Sequence, residues 1–144
     1  PFQCRVLVHD IADRSEFCRE WGAVEMALDQ IIAEADIVTL HVPLTEATEI
    51  LINKSVLEKM KPSAFLINTS RGRVVHQGDL HQALVSGEIA GAGLDVFWEE
   101  PPTDMKFLQL PNLMVTPHIG GNAREAVDAM GKAAIDNLIK YFRL

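Results

Sequence analysis

Five short apolar runs recur along this chain, and most are followed by a segment able to form a helix. The runs occupy residues 5–9, 36–41, 64–68, part of 89–97, and 112–116. Each is closed by polar, charged or proline residues: Asp10, Pro43, Asn68, Asp95 and Pro117. Between them, helical spacing shows near residues 27–35, at 53–60 ahead of Pro62-Ser63, at 77–86 and at 123–142. Leu80, Ala83 and Leu84 repeat at that spacing, with Gly87 as a helix stop. In the last helix, Ala126, Met130, Ala133, Ala134, Leu138 and Ile139 are expected to form the inner face. Strands that alternate with helices predict an α/β fold: a doubly wound parallel sheet covered on both faces. Near-continuous apolar strands fit that burial.

In such sheets ligands bind beyond the carboxyl ends of the strands. Asp10, His41, Ser70-Arg71, Asp95 and His118 all fall at or just past those ends, so a shared cleft is expected. Three stretches hold the chemistry: Asn68-Thr69-Ser70-Arg71-Gly72, Asp95-Val96-Phe97-Trp98-Glu99-Glu100-Pro101 and Thr116-Pro117-His118-Ile119-Gly120-Gly121. Together they offer a guanidinium, carboxylates and an imidazole. That set suits holding a carboxylate, polarising a carbonyl and moving a proton.

Other classes fall away on composition. A net charge of −7 gives no electrostatic basis for binding nucleic acid or an anionic membrane. No apolar run reaches the roughly 20 residues that span a bilayer. The cysteines, Cys4 and Cys18, lack metal-ligand spacing and any redox motif, so reduced thiols in a cytoplasmic protein and no metal are expected. With 48% hydrophobic residues over 144 positions, the chain has material for one domain with a core.

The ordered motifs resemble those of the D-isomer-specific 2-hydroxyacid dehydrogenases, specifically their nucleotide-binding domain. The resemblance covers nearly the whole chain. It rests on His41-Val42-Pro43-Leu44-Thr45, Met60-Lys61-Pro62, Ile67-Asn68-Thr69-Ser70-Arg71-Gly72, Gly91-Ala92-Gly93-Leu94-Asp95-Val96-Phe97, Glu100-Pro101 and Thr116-Pro117-His118. It implies Arg71, Glu100 and His118 as the catalytic set, with NAD as cofactor and a small 2-hydroxy or 2-oxo acid as substrate. Glu99 is set aside because the family's glutamate directly precedes proline. Asp10, closing the first strand, is expected on the adenosine ribose, which favours NAD over NADP. Arg14 is the nearby alternative, as a phosphate acceptor. The resemblance places His41, Val42, Pro43 and the turn to Thr48 along the adenosine half. Thr69, Ser70, Arg71, Asp95 and His118 then surround the nicotinamide, with Asp95 at its carboxamide. Gly120 and Gly121 are expected to let backbone approach the cofactor closely.

The chain departs from the family in places. It contains no Gly-x-Gly-x-x-Gly loop, no strand-like run precedes Arg5, and the substrate domain is missing. Residues 1–144 are therefore expected to be part of the NAD-binding domain, either within a longer polypeptide or completed by another chain. The strands at Val6 and at Phe65 should each carry an unpaired inner edge, because the missing strand is central in this fold. His76, Gln77 and Trp98 also differ from the family, with Trp98 read as a packing residue. Two functions follow from the resemblance: an NAD-dependent oxidoreductase, homodimeric like family members, or an NAD(H)-sensing protein akin to the corepressors of the same fold.

Overall fold

The computed structural model describes residues 4–143. It begins with β1 (Leu7–Val8), α1 (Ser15–Trp21), β2 (Val24–Glu25), α2 (Leu28–Glu34), β3 (Ile37–Leu40) and α3 (Lys54–Leu57). There follow β4 (Phe65–Asn68), a 3-10 turn (Gly72–Val74), α4 (Gln77–Ser86), β5 (Gly91–Leu94), α5 (Met105–Leu108), β6 (Leu113–Val115) and α6 (Arg124–Phe142). The expected strands and helices are all present, mostly a residue or two shorter than read. The pair α1–β2 and the short α5 were not anticipated. They have too few residues for periodicity to register.

All strand pairs are parallel. β3, β4, β5 and β6 form one sheet in that order, while β1 and β2 pair separately. The sheet's register aligns Val38 with Leu66 and Leu66 with Ala92. It also aligns Leu40 with Asn68 and Asn68 with Leu94. These six residues share one face, since side chains alternate along a strand, and all six are buried. Ile32 of α2, Leu57 of α3, Leu80 and Leu84 of α4, and Phe107 of α5 complete the same core.

α4 shows why its bounds were readable. His76 caps it by accepting the Asp79 amide, and Gly87 ends it in the left-handed region at φ 71°. Leu80, Ala83 and Leu84 form its buried stripe.

Three expectations are corrected. The open edge at Phe65 does not exist: β4 is paired on both sides, and the sheet's edge strands among the described residues are β3 and β6. Second, among the described residues only one face of the sheet is fully covered: Ile37 (58% exposed), Phe65 (48%) and Met114 (74%) stand exposed on the opposite face. Third, α6 has no inner face. None of its residues is buried, and the residues assigned to that face lie in solvent or are only partly covered.

Candidate functional site

The turn after β4 is built around Asn68, which is 1% exposed. Its side-chain oxygen accepts from the Ser70 amide (3.0 Å) and the Ser70 hydroxyl (2.9 Å). Its amide nitrogen donates to the Arg71 carbonyl at 2.9 Å. A buried polar group needs such partners, and here they fold the backbone so that Arg71 emerges exposed. One guanidinium nitrogen, Nη1, donates to the Ser70 carbonyl at 2.6 Å. The rest of the fork has no protein partner among the described residues.

Thr69, Ser70 and Arg71 face His41, Val42, Pro43 and Leu44 across an open cleft of about 490 Å³. That volume lies within the range of small-molecule sites. The cleft thus unites six of the residues assigned to the cofactor. His41 is oriented by Thr39, with its Nε2 2.9 Å from Oγ1. Thr48 does not line the cleft. Its hydroxyl donates to the Pro43 carbonyl (2.6 Å) and accepts from the Thr45 amide (2.8 Å), so it closes the turn that presents Pro43.

A second cluster gathers beyond β5 and β6. Asp95, 6% exposed, accepts through Oδ1 from the Thr116 hydroxyl and from the Ile119 amide (2.9 Å). Its Oδ2 accepts from the Gly120 amide (2.9 Å). The Thr116 hydrogen bond, chiefly, holds the Asp95 carboxyl below the usual aspartate value, against the opposing effect of burial. Asp95 thereby fastens the loop that carries His118, whose backbone is left-handed at φ 53°. Residues other than glycine rarely adopt that conformation unless their surroundings impose it. Gly120 spends its amide on Asp95, while Gly121 opens onto unfilled space.

His118 Nδ1 lies 2.8 Å from Glu100 Oε2. The other oxygen, Oε1, accepts from the Phe97 amide at 3.0 Å. The His118 bond first, then the Phe97 amide, keep the Glu100 carboxyl below its usual value. Glu100 is therefore ionised near neutral pH, which makes Nδ1 the donor. Nε2 is left without a protein partner among the described residues, on a side chain that is 46% exposed. Such a nitrogen is placed to take or give a proton.

Asp10 stands apart. It lies beyond β1, where Oδ2 accepts from Arg14 Nε (2.7 Å) and also pairs with Arg14 Nη2 (2.7 Å). Its Oδ1 accepts from the Ala12 amide at 2.9 Å. The two residues offered as alternatives at this end are thus one ion pair. The chemistry of the donor set fits a dinucleotide: a strand-end carboxylate at one end, and a cleft with a cationic and an imidazole group at the other.

Asn68, Thr116 and Gly72 shape the loops of the site without having been assigned to it. A polar Asn directly after an apolar run was the available signal for Asn68. For Gly72 there was none, because its need is spatial: a Cβ there would lie 2.0 Å from the Phe97 carbonyl oxygen.

Residues 1–120 match the family model of the D-isomer specific 2-hydroxyacid dehydrogenase, NAD binding domain. The chain belongs to this family. It is 43% identical over 143 residues to a glyoxylate reductase of Korarchaeum cryptofilum, covering 99% of this chain and 43% of that protein. It is 45% identical over 139 residues to a glyoxylate/hydroxypyruvate reductase B of Pectobacterium carotovorum, covering 96% and 43% respectively. Among solved structures, it superposes on an NAD-complexed D-isomer specific 2-hydroxyacid dehydrogenase of Lactobacillus delbrueckii at a TM-score of 0.88. Identity there is 34%, over 97% of this chain and 46% of the other. An Aquifex aeolicus D-lactate dehydrogenase complexed with NAD and lactic acid gives a TM-score of 0.87 and 32% identity, over 99% and 47%. The chain spans less than half the length of these relatives.

Proposed function

We propose that this chain is the cofactor-binding and proton-transferring part of an NAD-dependent oxidoreductase that interconverts a small 2-hydroxy acid and its 2-oxo acid. The observation that carries the reading is the Glu100–His118 pair at 2.8 Å. It directs the imidazole proton on Nδ1 inward and leaves Nε2 to the substrate oxygen. In reduction, His118 gives its Nε2 proton to the developing alkoxide; in oxidation, it takes the hydroxyl proton. Glu100 stabilises the imidazolium. Arg71 holds the substrate carboxylate with the two-pronged geometry of its guanidinium. When bound, the nicotinamide supplies or accepts the hydride. His41, Val42 and Pro43 would line the adenosine half of the cofactor and Thr69 and Ser70 the nicotinamide half, with Asp10 and Arg14 at the adenosine end. Asp95 retains acceptor capacity on Oδ2 for the carboxamide, while Gly120 and Gly121 give close backbone approach. Thr48 contributes by shaping the Pro43 turn.

In this reading residues 1–144 make up part of the NAD-binding domain, and the substrate domain lies outside them. A homodimer in the cytoplasm belongs to the same proposal, its dimeric part supported by the exposed apolar face of α6.

The test is to titrate NADH into the chain and follow energy transfer from Trp21 and Trp98. NADH consumption is then measured with glyoxylate, hydroxypyruvate and pyruvate. Saturable binding and reduction of at least one acid are expected, with His118→Gln lowering turnover roughly 10²–10⁴-fold. No saturable binding by the folded chain would overturn the reading. Binding without reduction of any acid would favour an NAD(H)-sensing protein instead.

A further inference from the structure

We propose that Trp98 is a positioning residue that clasps the loop bearing Glu100 onto the segment following Arg71, so that the guanidinium and the Glu100–His118 pair are held as one unit. The inference rests on the reading of Arg71, Glu100 and His118 as the working set. Three strand-end loops carry these groups: Arg71 after β4, Glu100 after β5 and His118 after β6. Glu100 and His118 tie the last two loops to each other; the tie between the Arg71 and Glu100 loops lies behind the cleft.

It begins at Gly72, directly after Arg71. The Gly72 backbone runs so close to the second loop that a Cβ would lie 2.0 Å from the Phe97 carbonyl oxygen and 2.6 Å from the Trp98 nitrogen. A void of only about 10 Å³ remains among Gly72, Val75, Val96, Phe97 and Trp98, room for at most one water. Trp98 then reaches across. Its indole N–H donates to the Val75 carbonyl. Arg73 lies over its ring at 5.4 Å from the centroid, within the range of a cation–π contact. His76 meets the ring edge-on at 6.3 Å, and its ring is placed by the Asp79 amide at the start of α4. One side chain on the acid's loop therefore touches three residues of the arginine's segment.

The consequence reaches Glu100 through the backbone. Phe97, adjacent to Trp98, donates its amide to Glu100 Oε1 at 3.0 Å. Where Trp98 sits decides where Phe97 sits, and hence where Glu100 presents Oε2 to His118. A residue that merely filled space would contribute stability alone. A clasp must also set the electrostatics of Glu100.

That difference defines the experiment. The Glu100 side-chain carboxyl is followed by carbon NMR through an acid titration in the parent chain, Trp98→Phe, Trp98→Ala and Leu57→Val. Trp98→Phe keeps a ring but loses the N–H, whereas Trp98→Ala removes every contact. Leu57→Val loosens the core on α3, away from both loops. The Glu100 midpoint is expected to move upward in Trp98→Phe and further upward in Trp98→Ala, and to stay in place in Leu57→Val. An unchanged midpoint in either folded Trp98 variant would overturn the proposal. So would an equal shift in Leu57→Val, which would mark general loosening. These readouts need neither cofactor nor turnover, so loss of the clasp and loss of the enzymatic reading are told apart by the NADH titration of the parent chain.

Discussion

α4 and α6 carry the same kind of sequence pattern and meet opposite fates. In α4, Leu80 is 1% exposed, Ala83 1% and Leu84 3%, packed with β3 to β5 in one core. In α6, Met130 is 57% exposed, Ile135 58% and Leu138 56%. Periodicity states that a helix has an apolar side; it does not state what covers it. α4 is covered because the parallel sheet turns its Val38–Leu66–Ala92 face toward it. α6 follows β6 at the far edge of that sheet, and no element among the described residues lies on its apolar side. The same contrast holds within the sheet, where one face is packed and Ile37, Phe65 and Met114 leave the other in water.

The largest effect should come from the packed side of that contrast. Leu66 lies in β4, flanked by β3 and β5, and is fully buried. Leu66→Ala is expected to cost about 2–5 kcal/mol, the lost transfer of the side chain plus the cavity it leaves. The measurement is the shift in urea midpoint. A cost below about 0.5 kcal/mol, ordinary for a surface change, would break the comparison by showing that the sheet's inner face is no better packed than α6.

Asp95 should come next. Asp95→Ala strands the Thr116 hydroxyl and the Ile119 and Gly120 amides, at about 1–3 kcal/mol for each group that water cannot reach. The exposed loop lets water repair part of this, so a total near the lower end is expected in the urea midpoint at neutral pH. The pH dependence has a definite sign. Asp95 and Glu100 both have folded carboxyl values below their ordinary 3.8 and 4.5. The stability they contribute is therefore fully present above those ordinary values and is lost as pH falls through the lowered ones. Asp95→Asn should consequently lose less stability than the parent chain between neutral pH and pH below 3.8. Parallel losses in the two proteins would show that the Thr116 and loop hydrogen bonds do not favour the ionised form.

The extent to which this site was legible follows from the same physics. Arg71 and His118 stood out because polar residues just past apolar runs lie at strand ends in a parallel α/β sheet, whereas Glu100 was legible only through the family resemblance of Glu100-Pro101. His41 was legible for the same reason, Val42 and Pro43 through the resemblance, and the cleft does bring all three to Thr69–Arg71. The groups that hold the site were not legible. Gly72 has no positive φ to mark it; its requirement arises from the approach of Phe97, 25 residues away in sequence. The Asp10–Arg14 pairing turned two alternatives into one ion pair, because residues four apart here have room to meet across a turn. The position of the open edge was misjudged for a related reason. Strand order is a property of long-range pairing, and apolar runs alone do not say which neighbour each strand takes.

The smallest effect should come from α6, and it is the most informative about the uncovered face. Leu138→Ala removes a side chain that is 56% exposed. Little transfer free energy is lost, and alanine's helix propensity, slightly better than leucine's, offsets part of it. The expected change is within about 0.5 kcal/mol in a dilute urea titration. Repeating the titration at rising protein concentration sharpens the point. If a second copy covers this face, the parent chain must gain stability with concentration by mass action, and Leu138→Ala must then cost on the order of a buried leucine, about 2–5 kcal/mol. If the cost stays small at every concentration, copies of this chain do not cover Leu138, and the dimer proposed above must form through another surface.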